Sequence, residues 1–318
     1  MWKHACLISI ALIIGQNVGG FAAEAPIGFQ EKPAKVEIVV SGQPVATYVY
    51  QDEATLRPYF SNVHTPGNIR VTREHPIDVG SDGGDHGTMH PGVWLAFGDI
   101  NGADFWRNRA QVVHAGFVEK PHVKNGRGVF SVKNEYRHDG KLICTETCRY
   151  TIVSQEGGYL LTSDSTFAND DGPFAFGDQE ELGFGVRVNR KLRVKGGNGH
   201  ILNADGQKDE KQVWGKATDW CDYSGTIDGR HVGLTVMPHP DNFRGSWFHV
   251  RDYGLMLANP FGRNALTGGD KSSVAVKPGE TLRLRFGVFV HDAPSSEEYD
   301  PAAVYREYLE ETESPDAL

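Results

Sequence analysis

Near the C-terminus, Leu282, Leu284, Phe286, Val288 and Val290 stand at every second position, with Arg283 and Arg285 between the first three. Nothing else in the chain narrows its possible folds so far. A period of two belongs to a strand with one side on the core, and no helix gathers those five side chains on one face. The same alternation puts Val36, Ile38 and Val40 on one face, followed by a turn over 41–44 and a second strand over 45–50. Further strands are expected over 111–118, 128–136, 142–153 and 159–167, separated by the turn signals His138-Asp139-Gly140 and Glu156-Gly157-Gly158. Glycine, at 38 of 318 residues, exceeds the usual level of roughly 7%, as many tight turns between short strands require. Strong helix signals are almost absent until Asp300, which can cap a helix opened by Pro301, with Val304, Tyr305, Tyr308 and Leu309 as its apolar stripe. The expected fold is all-β, a large antiparallel β-sandwich with a short C-terminal helix. With no Pro- or Ser-rich linker, residues 23–318 read as one domain, and the glycine-rich stretch 195–199 as a loop within it.

Residues 1–22 have the layout of a secretory signal: Lys3, an apolar stretch over 5–14, then Gly20 and Ala22 flanking Phe21. That stretch is shorter than the roughly 20 residues of a membrane span, so cleavage before Ala23 is expected, giving a secreted or periplasmic protein with no membrane insertion. The mean hydropathy of −0.42 agrees with this. The formal charge of −9 becomes −10 once Lys3, the one charged residue in 1–22, is removed. Nucleic acid and anionic lipid, which select basic surfaces, are therefore not expected partners. Cleavage also removes Cys6 and leaves Cys144, Cys148 and Cys221. Cys144 and Cys148 lie about 13 Å apart along one strand, too far to pair with each other. A bridge from one of them to Cys221 and three buried thiols are equally open readings.

Three segments can carry chemistry. The first, DGGDHGTMHPGVWLAFGDINGADFW at 82–106, packs Asp85, His86, His90, Trp94, Asp99, Asn101 and Trp106 among turn-forming glycines. Carboxylates and imidazoles bond sugar hydroxyls, and indoles stack on C–H faces. On residue type alone, His86 and His90 serve equally well as surface or core histidines. The second, GDQEELGFGVRV at 177–188, sets Glu180 and Glu181 before a strand carrying Arg187; adjacent residues of a strand face opposite sides, so one glutamate at most joins a pocket. A plain charged loop is the alternative. The third, at 237–263, crowds His239, Trp247, His249, Arg251, Asp252, Tyr253 and Asn259, and its alternation sends Trp247, His249 and Arg251 to one face. His239 is stiffened by Pro238 and Pro240, while Arg251 with Asp252 reads first as a structural ion pair. No nucleophile elbow, Walker loop, dinucleotide fingerprint or H-E-x-x-H motif is present. Asp85, His86, His90 and His239 can be grouped as metal ligands on paper, but spacing does not establish such a site, and no metal or cofactor is expected.

Together with RPYFSNVHTPGNIRVTREHP at 57–76, which adds His64 to the binding candidates, these blocks resemble a bacterial secreted family of unknown function known as methane oxygenase PmoA-like. The blocks are R-P-Y with H-T-P-G-N, D-H-x-x-x-H-x-G-x-W with G-D-x-N-G-x-D-F-W, E-x-G-x-G-x-R-V, and H-P-x-N with V-R-D-Y-G and N-P-F-G. Where many relatives read D-H-P-H-H-R-G, this chain keeps Asp85, His86 and His90 but has Thr88, Met89 and Pro91 in place of the central histidine and the arginine. Methane oxidation itself does not follow, since no spanning helix is read and the expected mature N-terminus is Ala23 and not a copper-binding histidine. The resemblance implies a sandwich similar to the galactose-mutarotase-like supersandwiches, and substrates among complex, oxidised or acidic saccharides.

The function expected is therefore a secreted carbohydrate-active enzyme cutting a glycosidic bond, as hydrolase or eliminating lyase. In it His86 or His90 acts as base and Glu180 or Glu181 as acid, Arg187 or Arg251 binds or orients a carboxylate, and His239 steadies developing charge or binds a hydroxyl. The binding candidates are His64, Asp85, Trp94, Asp99, Asn101, Trp106, Arg187, Trp247, Arg251, Tyr253 and Asn259. A noncatalytic glycan-binding module and a sugar mutarotase or epimerase are the alternatives. The partner in each case is a saccharide; the sequence sets no oligomeric state.

Overall fold

A computed structural model describes residues 26–82 and 84–313. The expected signal segment lies outside the described residues. Two eight-stranded antiparallel sheets dominate. The first runs, in spatial order, Ile27–Lys32, Lys35–Val40, Gln43–Val49, Tyr59–Ser61, Val93–Phe97, Leu182–Arg187, Leu255–Asn259 and Trp247–Arg251. The second runs His200–Asn203, Cys221–Ile227, Arg230–Pro238, Thr281–Ala293, Gly158–Ala168, Lys141–Gln155, Arg127–His138 and Gln111–Lys124. Phe174–Phe176 and Val274–Val276 form a small separate pair.

The sheets stack on a shared apolar layer, as amphipathic strands must to hide one face each. Leu282, Leu284, Phe286, Val288 and Val290 all point into it, as their alternation requires, while Arg283 and Arg285 point out. Across the layer Phe184 stacks on Phe286 at 5.3 Å and Tyr48 meets Tyr150 at 5.2 Å. The expected strands are all present; the one expected over 111–118 runs on to Lys124 through three bulges.

Each sheet also has an outer face with its own cluster. On the second sheet, Leu160, Met237 and Phe289 are covered by the helix Pro301–Glu313 through Val304 and Tyr308. Asp300 caps this helix by accepting from the Ala302 and Ala303 N–H groups at 2.9 and 3.2 Å. Three further helices are short: Val79–Asp82, Asp209–Val213 and Arg263–Thr267. On the first sheet the outward cluster is Tyr59, Trp94, Ala96, Trp106, Leu255 and Leu257. Cys144, Cys148 and Cys221 are buried free thiols, so of the two open readings the unbridged one holds. Among the described residues, no helix is long and apolar enough to cross a membrane.

Candidate active site

Glycine makes the floor of the site. In the Leu182–Arg187 strand the outward positions are Gly183, Gly185 and Arg187, and Gly185 pairs with Trp94 of the neighbouring strand. A Cβ on Gly185 would stand 3.0 Å from the Trp94 ring, so the indole lies over the sheet because nothing projects there. Trp106 meets Trp94 edge-on at 5.4 Å. On this floor the His90 ring stacks on Trp94 at 5.3 Å and the His86 ring on His90 at 4.8 Å, each within 9° of parallel.

Buried arginines fix the loop that carries the two imidazoles. Arg73 donates to Asp82 Oδ2 at 3.0 Å, to the Asp85 carbonyl at 2.7 Å and to Asp85 Oδ1 at 3.2 Å. Arg193 also pairs with Asp82. Arg187, wholly buried, donates to Asp85 Oδ2 at 2.8 Å and to His90 Nδ1 at 3.3 Å, with Tyr253 lying 4.5 Å from its guanidinium. Since a guanidinium can only donate, His90 presents a lone pair at Nδ1 and keeps its proton on Nε2. Burial first, then Arg187 and His86, push the His90 pKa well below the ordinary imidazole value, so the ring is neutral. Burial works against the Asp85 carboxylate, but Arg187, the His86 ring and Arg73 outweigh it and hold its pKa well below the usual range. Asp85 Oδ2 also lies 3.2 Å from His86 Nδ1, and His86 remains 44% exposed at the mouth of the site.

A cleft of about 90 Å³ here is lined by His86, His90, Trp106, Arg107, Glu181, His249 and Tyr253, with Met89 and Leu255 as apolar members. Arg107 spans Glu181 at 2.7 Å and Asp104 at 3.1 Å, so a guanidinium holds the Glu181 carboxylate in place. Glu180 turns away from the cleft to Arg251 at 3.5 Å, and burial raises its pKa against the pull of Arg251. His249 Nδ1 lies 3.1 Å from the Glu180 carbonyl, and its Nε2 is buried with no hydrogen-bond partner. A wider cleft of about 410 Å³ lies beside Asp52, Tyr59 and His75. Its one carboxylate is already engaged by the Tyr59 hydroxyl and the Ala54 and Thr55 N–H groups, which leaves less for a ligand.

Of the residues expected from the sequence, Asp85, His86, His90, Trp94, Trp106, Glu181, Arg187 and Tyr253 come together here. The rest are held elsewhere. His239 is a correction: it faces outward from the second sheet, where Nε2 meets Thr312 Oγ1 at 3.1 Å and the ring packs on Tyr308 of the C-terminal helix. Glu180 serves through its backbone, not as an acid in the cleft. Asn259, fully buried, donates to the Gln179 and Glu180 carbonyls and accepts from the Phe261 and Gly262 N–H groups, which clamps the glutamate loop and leaves nothing for substrate. Asp99 and Asn101 close their own turn, onto Gly102 and Ala175. His64 bonds the Asn62 carbonyl at 2.6 Å beside Thr65, which reaches Asp292 of the other sheet. Trp247 packs under Arg244. Arg251 pairs with Glu210 and Glu180, not with Asp252, and lies 3.8 Å from the Trp214 ring.

Two polar members of the cleft, His249 and Arg107, were not among the expected site residues, nor were the apolar Met89 and Leu255. Alternation had put His249 beside Arg251 on one face, but nothing in its residue type said that the face carried a cleft. Arg107 gives only the weak signal of an acidic residue three positions before it. Among the described residues, no group of three His, Cys, Asp or Glu side chains is arranged to hold a metal ion.

A family profile described as "Family of unknown function (DUF6807)" matches residues 35–303. That description carries no methane-oxygenase label, so the PmoA-like name rests on the sequence blocks alone. The sequence matches no curated protein. Among solved structures, the chain is similar to a variant GH36 alpha-galactosidase of Geobacillus stearothermophilus in complex with stachyose (12% identity, TM-score 0.38, 83% of this chain and 40% of that one). It is also similar to a galactose mutarotase-like protein of Clostridium acetobutylicum (8%, 0.37, 85% and 99%). A Glycoside Hydrolase Family 97 enzyme of Pseudoalteromonas sp. strain K8 is a third (7%, 0.33, 84% and 35%). The chain thus spans well under half of the galactosidase. Likeness at this level leaves the chemistry of the site to its own residues.

Proposed function

We propose a function for a chain that belongs to the DUF6807 family of unknown function: it is a secreted carbohydrate-active enzyme that cuts a glycosidic bond of a complex or oxidised saccharide, as hydrolase or eliminating lyase. One observation carries this reading. An accessible imidazole, His86, sits against a carboxylate kept ionised by two buried arginines, and shares its cleft with a second carboxylate, Glu181. Asp85 accepts the Nδ1–H of His86 and orients the ring, so that Nε2 is the nitrogen left to take or give a proton. Glu181, positioned by Arg107, stabilises positive charge developing on a sugar ring or accepts a proton. Trp106 supplies the apolar wall that a sugar's C–H face requires. His90, neutral and spoken for by Arg187, positions the loop and takes no proton.

The test is incubation of the purified protein with a glycan library, read as released reducing ends, unsaturated product and anomer interconversion. Turnover is expected, falling about 10²- to 10⁴-fold in His86→Ala and in Glu181→Gln. Anomer interconversion alone would make the protein a mutarotase. Saccharide binding that survives His86→Ala, with no turnover in either form, would make it a binding module and end the enzyme reading. The secretory layout of residues 1–22 supports export; N-terminal sequencing of the exported protein is expected to begin at Ala23.

A further inference from the structure

We infer that Nε2 of His249 is a built acceptor for a ligand hydroxyl, so that the corner of the cleft it walls takes a neutral, hydroxyl-bearing position of a saccharide and refuses a carboxylate there. The inference rests on the saccharide reading of the cleft and narrows it. Its first support is the tautomer. The Glu180 carbonyl oxygen, 3.1 Å from Nδ1, can only accept, so Nδ1 carries the proton and Nε2 the lone pair. The second is that this lone pair is bare: Nε2 is buried and meets no partner, an arrangement uncommon enough to need a reason. The ring cannot turn away to find one, since Trp214 packs edge-on against it at 4.6 Å and Arg251 in turn lies 3.8 Å from the Trp214 ring.

The third support is the company the atom keeps. His249 shares the cleft lining with Glu181 and Arg107; the Arg107 guanidinium is already engaged by Glu181 and Asp104, so what this corner has left to offer is acceptors, and it asks for donors. A hydroxyl can give its proton to Nε2 and present only a dipole to Glu181. A ligand carboxylate has no proton to give and would meet both a lone pair and a negative charge in a partly buried space. Burial, partly opposed by the hydrogen bond to Glu180, pushes the His249 pKa down to about 4, so the acceptor persists at neutral pH.

The test is nitrogen NMR of the full chain with labelled histidines. In the free protein His249 is expected to show a protonated Nδ1 and an unprotonated Nε2. Titration with methyl glucosides and methyl galactosides should shift the Nε2 resonance, and the matching methyl uronates should need at least about tenfold higher concentration, one hydrogen bond's worth of discrimination. His249→Asn can keep a donor to Glu180 through Nδ2, but its carbonyl stops short of the Nε2 position, and it should weaken neutral glycoside binding about three- to tenfold; His249→Gln, whose amide reaches further, should recover part of it. A lone pair on Nδ1 in the free protein, or uronates seated better than glycosides, would overturn the proposal. So would glycosides that move His86 but leave His249 still, while the saccharide reading stood. If no saccharide moves any cleft resonance, the saccharide reading itself fails.

Discussion

His86 sits with φ of +53°, in the left-handed region that a residue with a Cβ occupies at a cost. Hydrogen bonds on each side over-determine it: its carbonyl accepts from the Met89 and His90 N–H groups, and Arg73 grips the preceding carbonyl. The strain delivers the ring onto His90 and its Nδ1 to Asp85. Neutral buried imidazoles give the site a pH signature. His90 and His249 have folded-state pKa values below the unfolded value near 6.5, His249 at about 4. Between those values the unfolded chain binds more protons, so stability falls as pH drops from about 6.5 toward 4, by up to about 1.4 kcal/mol per pH unit for each ring. Urea denaturation at stepped pH should show that slope, and His249→Asn should flatten it. Asp85 acts lower: its folded pKa is depressed, so its contribution is complete above the usual carboxylate range and lost below it. The cluster of Asp85, His86 and His90 was legible as a candidate because the three lie close together in one glycine-bounded stretch, although residue type alone left surface or core histidines an equal reading. His249 was not, because what marks it is an unpartnered nitrogen, which sequence does not show.

At the scale of the element, the G-x-G of the Leu182–Arg187 strand does what no other residue pair there can. Gly183 has φ of +135° and a Cβ on it would fall 2.1 Å from the Ala258 carbonyl; Gly185 yields its space to Trp94. Gly185→Ala is expected to cost about 1–3 kcal/mol and to displace the indole under His90, read as a lower urea midpoint with altered tryptophan fluorescence. Gly183→Ala should be worse, since the obstacle is backbone. The strand rule that adjacent side chains diverge was applied to Glu180 and Glu181, and only Glu181 reaches the cleft. The two precede the strand, however, and it is Asn259, clamping the Gln179 and Glu180 carbonyls from the neighbouring strand, that holds the turn. Asn259 was expected to touch substrate because a buried amide clamp and a sugar-binding amide are the same residue type; only its four partners distinguish them.

For the whole molecule, the decisive fact is that each sheet has one face in the shared core and one outside. The cleft lies on the outer face of the first sheet; the C-terminal helix covers the outer face of the second. His239 belongs with the helix, so His239→Ala should leave saccharide binding in the cleft within about twofold of wild type, as expected for a substitution remote from it. Tyr308→Ala should lower stability by about 3–5 kcal/mol through the cavity beneath the helix, seen as an earlier thermal transition with cleft binding retained below it. The strands over 36–40, 45–50, 111–118, 128–136, 142–153, 159–167 and 282–290 and the capped final helix followed from the sequence alone, because periodicity and turn chemistry are local properties of neighbouring residues; strands such as Ile27–Lys32, Cys221–Ile227 and Arg230–Pro238 did not. Which outer face gathers the imidazoles, that His239 is excluded from it, and that Arg107 and His249 join it were settled only by folding. Those depend on strands distant in sequence becoming neighbours in a sheet, and alternation states which side a residue faces without stating what lies across from it.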